Sequence, residues 1–345
     1  IEESRLNYID NSNDLSQWNR NINSSVNVAN TTETLSPEGI NNSTKMTGGS
    51  SSGMARDSII TLGATTSYTA SIFAKKGTTN TFRLELGSGA NAIQTIFNLD
   101  TKAFSSSAAN GYFASYSTSY VDYPNGWVRV ILSGTTGGSV AGTVNLAVYG
   151  LSGGYAYFWG AQAEVGAFPT SLIPTSGTTA ARGADIVTIE GQEFTDFYNN
   201  EEGTLVLSAS YTEDIRTSAA VTIDDTSNEA EYTEIGYRAG GGSSGAVGSY
   251  TRTTAGNDQY FKQYASSATA GSEFKVAFAY KDNDYASSVN GQTVDTDTSG
   301  TTSRVFDRLR FSDVHNVGVV GSGYYRRLMY YSKRLPNNQV VTLTS

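Results

Sequence analysis

The sequence predicts an all-β protein: two antiparallel β-sandwich (jelly-roll) domains in series, with one short C-terminal helix. Apolar and polar residues alternate with a period of two in short runs from about residue 26 to residue 333, as half-buried strands do. The 345 residues include 36 glycines and 22 tyrosines, a composition that favours strands and turns over helices. A length prior of roughly 100–200 residues per domain then predicts two domains.

The clearest alternating runs predict the strands in chain order. They cover residues 68–75, 81–86, 127–132, 144–149, 155–164, 204–209, 274–280 and 324–331. Near the C-terminus Pro336 stands where the first turn of a helix tolerates proline, and Gln339, Val340 and Leu343 follow at helical spacing. This pattern predicts one short helix.

The best domain boundary is the segment PTSGTTAARGAD, residues 174–185. Small polar residues and glycine interrupt the strand pattern there. We therefore expect a first domain at 1–175, a linker at 176–183 and a second domain at 184–345.

Composition excludes several classes of function. Charged residues make up only 16 % and the net charge is −9, so we expect no nucleic-acid partner. The chain has no cysteine and a single histidine, His315, which makes a disulfide framework or a zinc site improbable. No run approaches the roughly 18 apolar residues that span a bilayer, so we expect no membrane insertion. The polar opening without a methionine suggests a chain whose upstream part is missing.

Alternation also predicts which side chains share a face. In the strand at 81–86 the apolar residues claim the core and leave Arg83 and Glu85 opposite, and the same argument applies to later strands. An aromatic ring that stacks on a sugar, beside side chains that bind its hydroxyls, is a combination suited to glycans. The alternative is that Trp127 packs against a loop or a neighbouring subunit while the polar residues are merely solvated. The predicted glycan-binding residues are Trp127, Arg129, Arg83, Glu85, Asn145, Tyr149, Gln162 and Glu164.

Two other aromatic features have structural interpretations. Alternation places Trp159 with the apolar set of its strand, opposite Gln162 and Glu164, so we expect it in the core. Tyr112, Tyr116 and Tyr120 fall on one face of an extended segment. They either bind a glycan or partner chain, or cover one edge of the core.

No catalytic constellation is visible. Gly-x-Ser-x-Gly patterns at Ser51 and Ser243 lie in glycine- and serine-rich runs and are attributed to chance, and His315 is predicted to be structural. The acidic residues Asp224, Asp225, Glu229, Glu231 and Glu234 show no sign of a converging glycosidase pair and predict a solvated turn. Residues 281–297, KDNDYASSVNGQTVDTD, carry oxygen ligands without EF-hand spacing, so a structural Ca²⁺ ion is the one cofactor left open.

Several blocks, taken in order, resemble a known family. IEESRLNYIDNSNDLSQWNR resembles the opening IEE-x-R-x-N-L-x-x-x-S-x-D-F-x-x-W of tail-fibre, head-spike-fibre and other appendage proteins of tailed bacteriophages. YTASIFAKKGT, NGWVRVILS and YFWGAQAEVGAFPTSLIPTSGTTAARGAD are similar to later blocks of the same module, over about residues 1–200. The resemblance implies a non-enzymatic, carbohydrate-binding-module-like jelly roll displayed on a virion. Ala163 and Val128 depart from the family's usual larger residues.

The later part of the chain is similar to concanavalin-type, laminin-G-like sandwiches. EGTLVLSASY resembles their opening strand and YYRRLMYYSKRLPNNQVVTLTS their closing strand and short helix. The resemblance to phage appendage proteins implies a homotrimer that contacts other virion proteins and binds host cell-surface polysaccharide. A structural decoration module whose aromatic faces are subunit contacts is the alternative, and a polysaccharide depolymerase is a third.

Overall fold

The computed structural model forms two compact units, one made of Arg5–Arg182 and the other of Ile1–Ser4 with Gly183–Ser345. They are called the N-terminal unit and the C-terminal unit below. The residues that the structure describes are 1–20, 27–48, 54–149, 153–212, 220–237, 246–253, 257–264, 268–269, 271–302, 305–311 and 323–345.

The N-terminal unit contains fourteen strands within its described residues. The strands are β1 (Arg5–Asn7), β2 (Asn19–Arg20), β3 (Asn27–Thr31), β4 (Ser43–Thr47), β5 (Met54–Thr61), β6 (Ser67–Lys76), β7 (Thr81–Ser88), β8 (Asn91–Asn98), β9 (Phe104–Ala109), β10 (Phe113–Asp122), β11 (Trp127–Thr136), β12 (Thr143–Tyr149), β13 (Tyr155–Val165) and β14 (Ala180–Arg182). Short 3₁₀ helices cover Leu15–Gln17 and Pro124–Gly126.

The C-terminal unit adds eleven strands and two helices within its described residues. They are β15 (Val187–Glu190), α1 (Gln192–Thr195), β16 (Glu202–Tyr211), β17 (Val221–Asp225), β18 (Asn228–Tyr237), β19 (Val247–Thr253), β20 (Asn257–Tyr264), β21 (Phe274–Lys281), β22 (Tyr285–Val289), β23 (Asp295–Asp297), β24 (Arg308–Phe311), β25 (Gly323–Tyr331) and α2 (Asn337–Thr344).

Two six-stranded antiparallel sheets make the sandwich of the N-terminal unit. Sheet I has the order β10-β11-β6-β13-β4-β3 and sheet II the order β2-β5-β12-β7-β8-β9, while β1 pairs with β14 separately. Alternate residues of each strand enter a common core, as the period of two requires. Phe82 of sheet II and Phe158 of sheet I meet edge to face there, with ring centroids 5.2 Å apart.

The C-terminal unit is also built from two antiparallel sheets. Sheet III has the order β15-β24-β17-β18-β19-β20 and sheet IV the order β23-β22-β21-β16-β25. Tyrosines are prominent in its core. A buried hydroxyl needs a hydrogen-bond partner, and Tyr280 donates to the carbonyl oxygen of Asn199 at 2.6 Å. On the outer face of sheet IV, Val340 of α2 packs against Val206 and Ala277.

The predicted fold class is confirmed, with antiparallel β-sandwiches and one short C-terminal helix. Pro336 precedes that helix as its N-cap residue. The periodicity did not predict α1, because a single four-residue turn is too short to show a helical repeat. It also missed that Ile1–Ser4 belong with the C-terminal unit, and that Ala180–Arg182 form a strand within the predicted linker.

Candidate functional site

Trp127 lies on the outer face of sheet I, but it is covered. Its side chain is 1 % exposed and packs in a small cluster with Phe73, Tyr157 and Trp159. The indole Nε1–H donates to the carbonyl oxygen of Leu35 at 2.9 Å. No ring face is left open, so the predicted stacking of a sugar on Trp127 is incompatible with its burial.

Arg129 lies beside Trp127, and its guanidinium makes hydrogen bonds within the N-terminal unit. Nη1 donates to the carbonyl oxygen of Thr170 at 2.7 Å, and Nη2 donates to Ser71 Oγ at 2.9 Å. The guanidinium also sits over the Phe73 ring, 5.4 Å from its centroid. Arg129 therefore holds the segment that follows β13 against sheet I, and does not offer its donors to a ligand.

Gln162 and Glu164 hold the same segment. Glu164 accepts the backbone N–H of Thr170 at 2.9 Å and its hydroxyl at 2.8 Å, and Gln162 Oε1 accepts the N–H of Ile173 at 2.7 Å. Both side chains are almost completely buried. The predicted glycan role of these two residues is therefore also incompatible with the structure, because the chain folds back over them.

A β-bulge explains why Trp159 and Gln162 share this face, which simple alternation did not predict. The register of β13 against β6 shifts between Trp159 and Gln162, with Gly160 at a φ of 61°. The extra residue resets the alternation. Trp159 is buried as expected, but in the small outer cluster and not in the main core, where Phe158 lies instead.

The remaining four predicted residues lie on the outer face of sheet II. The expectation that Trp127 and Arg129 share a face with them is therefore wrong, because alternation assigns a face within one strand and not a sheet. Register pairs Tyr149 with Arg83 and places Ala147 opposite Glu85 on neighbouring strands. These four residues, Arg83, Glu85, Asn145 and Tyr149, are called the Arg83–Tyr149 cluster.

Contacts within the Arg83–Tyr149 cluster fix the side chains of Arg83, Glu85 and Tyr149. The Arg83 guanidinium carbon lies 3.9 Å from the centroid of the Tyr149 ring. The Tyr149 hydroxyl donates to Glu85 Oε1 at 2.9 Å, and Arg83 Nη2 is 3.3 Å from Glu85 Oε2. Burial and then the negative charge of Glu85 raise the pKa of Tyr149 to about 12. Asn145 is half-buried two residues before Ala147 on β12.

Two further residues extend this face. Gln94 pairs with Glu85 and Ile96 with Arg83 across β7 and β8, and both are half-buried. Alternation in the run NAIQTIFN would have identified them, since Ile93 and Phe97 enter the core. The face combines one cation, one carboxylate and two amides beside an apolar side chain, which can hydrogen-bond several hydroxyl groups at once.

Asp224, the first residue of the predicted acidic turn, forms ion pairs inside the C-terminal unit. Asp224 is fully buried, not part of a solvated turn, and accepts from Arg308 Nε and Nη2 at 2.9 Å each and from Arg310 Nη2. Such burial of a carboxylate requires paired cations. Ser51, Ser243 and His315 lie outside the described residues.

No group of three or more Asp, Glu, His or Cys side chains suited to a metal occurs among the described residues. In the segment predicted to hold Ca²⁺, Asp284 pairs with Arg334 at 2.7 Å and Asp295 with Lys262 at 2.9 Å. These carboxylates are separately engaged, and the calcium site stays a prediction. Within the part of the chain that is described, no helix has the length and apolar character needed to cross a bilayer.

No protein-family model matches this chain, and a comparison with curated proteins finds no match. Among solved structures, it is similar to the CBM40 module of a Ruminococcus gnavus IT-sialidase, with 17 % identity over 46 % of this chain and 98 % of that chain and a TM-score of 0.39. It is also similar to domains LG4-5 of the mouse laminin α1 chain, with 9 % identity over 98 % and 93 % and a TM-score of 0.33. A SAP-like pentraxin from Limulus polyphemus gives 15 % identity over 42 % and 70 %, with a TM-score of 0.33. At these values the likenesses assign neither a family nor a function.

Proposed function

We propose that this protein is a non-enzymatic appendage protein of a bacteriophage virion, a fibre or spike component that binds host cell-surface polysaccharide. The observation that carries the binding part is the Arg83–Tyr149 cluster, a set of fixed polar side chains on the outer face of sheet II. Arg83 keeps 34 % of its side chain exposed while its geometry is held by Glu85 and Tyr149. The virion part is supported by the order of the phage-like sequence blocks.

The chemistry of the cluster favours a neutral stretch of polysaccharide. Glu85 offsets the charge of Arg83, so the pair presents donors and acceptors without a net charge. Because the side chains are already positioned, little rotamer entropy is lost when hydroxyls bind. Affinity per site is expected to be low, and display in several copies would raise avidity by roughly 10²–10⁴ where geometry permits.

Calorimetric titration of the protein with purified bacterial surface polysaccharides tests this site. We expect measurable binding that weakens by roughly tenfold or more in Arg83→Ala, since a hydrogen bond to a charged group contributes about 1.5–3 kcal/mol. The control is Lys102→Ala, which removes a surface cation that pairs with Asp122 elsewhere on the same unit. Unchanged affinity in a folded Arg83→Ala variant would remove the site, and absence of binding to every polysaccharide would remove the function.

The genomic neighbourhood tests the virion assignment separately. Genes for capsid and tail proteins beside the gene for this chain would support it. A neighbourhood of cellular metabolic genes would contradict it without affecting the glycan site.

A structural role is the second candidate, and strand β10 favours it. β10 is an edge strand of sheet I, and nine of its ten residues are exposed or half-buried. Tyr116 is 44 % exposed, and Tyr120, at 39 %, covers the rings of Phe97 and Phe104 only in part. The strand carries no charge from Phe113 to Val121, so copies of it meet without charge repulsion.

We propose that β10 is a subunit contact in a homotrimer, with the side chains of three copies around a three-fold axis. Direct pairing of β10 with itself would instead be isologous and close as a dimer. Sedimentation at micromolar concentration should give three times the 36.7 kDa chain mass. Val121→Lys should dissociate the trimer, whereas Val305→Lys, at an exposed valine of the other unit, should not. A monomeric or dimeric wild-type protein would contradict the proposal.

A further inference from the structure

A groove of about 340 Å³ lies on the outer face of sheet IV, beside the last turn of α2. Its floor is apolar and includes Val206 of β16, Met329 of β25 and Leu343 of α2. The volume is that of a small-ligand site and has room for a sugar ring. The groove lies within the C-terminal unit and shares no residue with the Arg83–Tyr149 cluster.

Three cations surround this floor, and the strand register explains why. Ser208 of β16 pairs with Lys275 of β21 on one side and with Arg327 of β25 on the other. Strands are about 4.8 Å apart, so the two cationic residues are on the order of 10 Å apart across the groove. Both line it together with Ser208.

A β-bulge adds the third cation. The register of β16 against β25 shifts between Ser208 and Ala209, which pair with Arg327 and Tyr325, so Arg326 has no partner in the ladder. In a regular strand Arg326 and Arg327 would point to opposite faces, but a bulge re-aims a side chain. Both arginines therefore line the groove.

The three cationic side chains differ in the ion pairs and hydrogen bonds that they already make. Arg326 Nε is 3.1 Å from Glu273 Oε2, and Glu273 Oε1 accepts the Ser208 hydroxyl at 2.6 Å. Lys275 donates to the carbonyl oxygen of Ser345. The side chain of Arg327 is exposed and makes no ion pair or hydrogen bond with the described part of the chain. A guanidinium with a free fork is suited to bidentate binding of a carboxylate.

The geometry points to a second glycan site that binds a carboxylate-bearing sugar unit, such as a uronic acid within a polysaccharide. Arg327 binds the carboxylate, the apolar floor contacts the C–H face of the ring, and Glu273 and Ser208 bind hydroxyls. A nucleic acid is disfavoured because the chain carries a net charge of −9 and, among the described residues, no aromatic side chain lines the groove. The inference takes from the proposed function only that the ligand is a saccharide.

Methyl NMR of the full chain tests the site, with sodium D-glucuronate as the probe and D-glucose as its neutral match. The chain has three methionines, and Met329 reports on the groove while the buried Met46 of the other unit is an internal reference. We expect glucuronate to shift the Met329 signal with a millimolar Kd at low salt, and glucose to bind at least tenfold more weakly. Sodium acetate, a carboxylate without a sugar, is expected to bind at least tenfold more weakly as well.

Arg327→Gln should weaken glucuronate binding by roughly tenfold or more. Lys333→Gln removes an exposed cation that pairs with Glu202 outside the groove, and it should leave binding unchanged. Equal binding of glucose, equal binding of acetate, no binding of glucuronate, or unchanged binding in Arg327→Gln would each overturn the inference. Arg83→Ala should not affect glucuronate binding, so failure of the proposed function and failure of this site are distinguishable.

Discussion

Glu85 is the residue that holds the Arg83–Tyr149 cluster together. One carboxylate oxygen accepts the Tyr149 hydroxyl and the other faces the Arg83 guanidinium. The Glu85 side chain is only 8 % exposed, and a buried carboxylate is stable only with such partners. Burial and then the negative charge of Glu85 raise the pKa of Tyr149, because loss of its proton would place a second negative charge beside Glu85 in a partly buried site.

Tyr149→Phe is predicted to change the alkaline stability of the protein. The pKa of Tyr149 is about 12 in the folded protein and about 10 when unfolded, so its contribution is fully present below pH 10 and is lost as the pH rises through 12. Phenylalanine has no ionisable hydroxyl and therefore cannot contribute this pH-dependent stabilisation. Urea unfolding at several values between pH 9 and pH 11 should show a steeper fall in the free energy of unfolding for the wild type than for Tyr149→Phe. Parallel curves would contradict the raised pKa of Tyr149.

At the scale of elements, strand β13 and the segment that follows it bury polar side chains on the outer face of sheet I, which therefore cannot contact a ligand. Gly160 forms the bulge that places Gln162 and Glu164 on the same face as Trp159. The returning chain then buries them through hydrogen bonds with Thr170 and Ile173. The block YFWGAQAEVGAFPTSLIPT thus encodes a strand and the segment that covers it.

Gly160→Ala is predicted to destabilise the N-terminal unit through this bulge. An added Cβ would lie 2.8 Å from Phe73 Cδ2, at a backbone φ of 61°. Left-handed strain costs about 1–2 kcal/mol and overpacking about 1–3 kcal/mol, so we expect a loss of about 3 kcal/mol in urea unfolding. Gly153→Ala is the matched control, since its φ is 70° but no atom of the described residues lies within 4 Å of the added Cβ. Equal losses in the two variants would show that packing against Phe73 is unimportant.

The sequence predicted strands well and their surroundings less well. Alternation correctly separates Arg83 and Glu85 from the core residues Phe82 and Leu84, because each strand has its own period of two. Alternation could not show that the Trp127 side chain is buried under another segment of the chain. That burial depends on contacts between residues far apart in sequence, such as Trp127 and Leu35. Bulges at Gly160 and Arg326 also escape a strict alternation count.

On the scale of the whole molecule, each unit has its own closed core. The main core cluster of the N-terminal unit draws its members from Ile9 to Ala163, and that of the C-terminal unit from Phe194 to Leu309. Only Ile1–Ser4 are remote in sequence from the rest of their unit. The backbone N–H of Asp185 donates to the carbonyl oxygen of Glu2 at 2.9 Å, and that of Gly323 to Ile1 at 3.2 Å.

Residues 5–182 produced alone are therefore predicted to fold and to unfold cooperatively, because their core needs no residue from outside this range. Residues 183–345 produced alone should fold too, but without the backbone hydrogen bonds to Ile1 and Glu2. A net loss of about 1–3 kcal/mol would lower their Tm by roughly 2–10 °C relative to the same residues joined to Ile1–Ser4 through a flexible linker. Calorimetry of the three chains measures this difference. A broad, non-cooperative transition for residues 5–182 would mean that this unit is not an independent domain. An equal Tm for residues 183–345 with and without the joined Ile1–Ser4 would mean that Ile1–Ser4 do not stabilise the C-terminal unit.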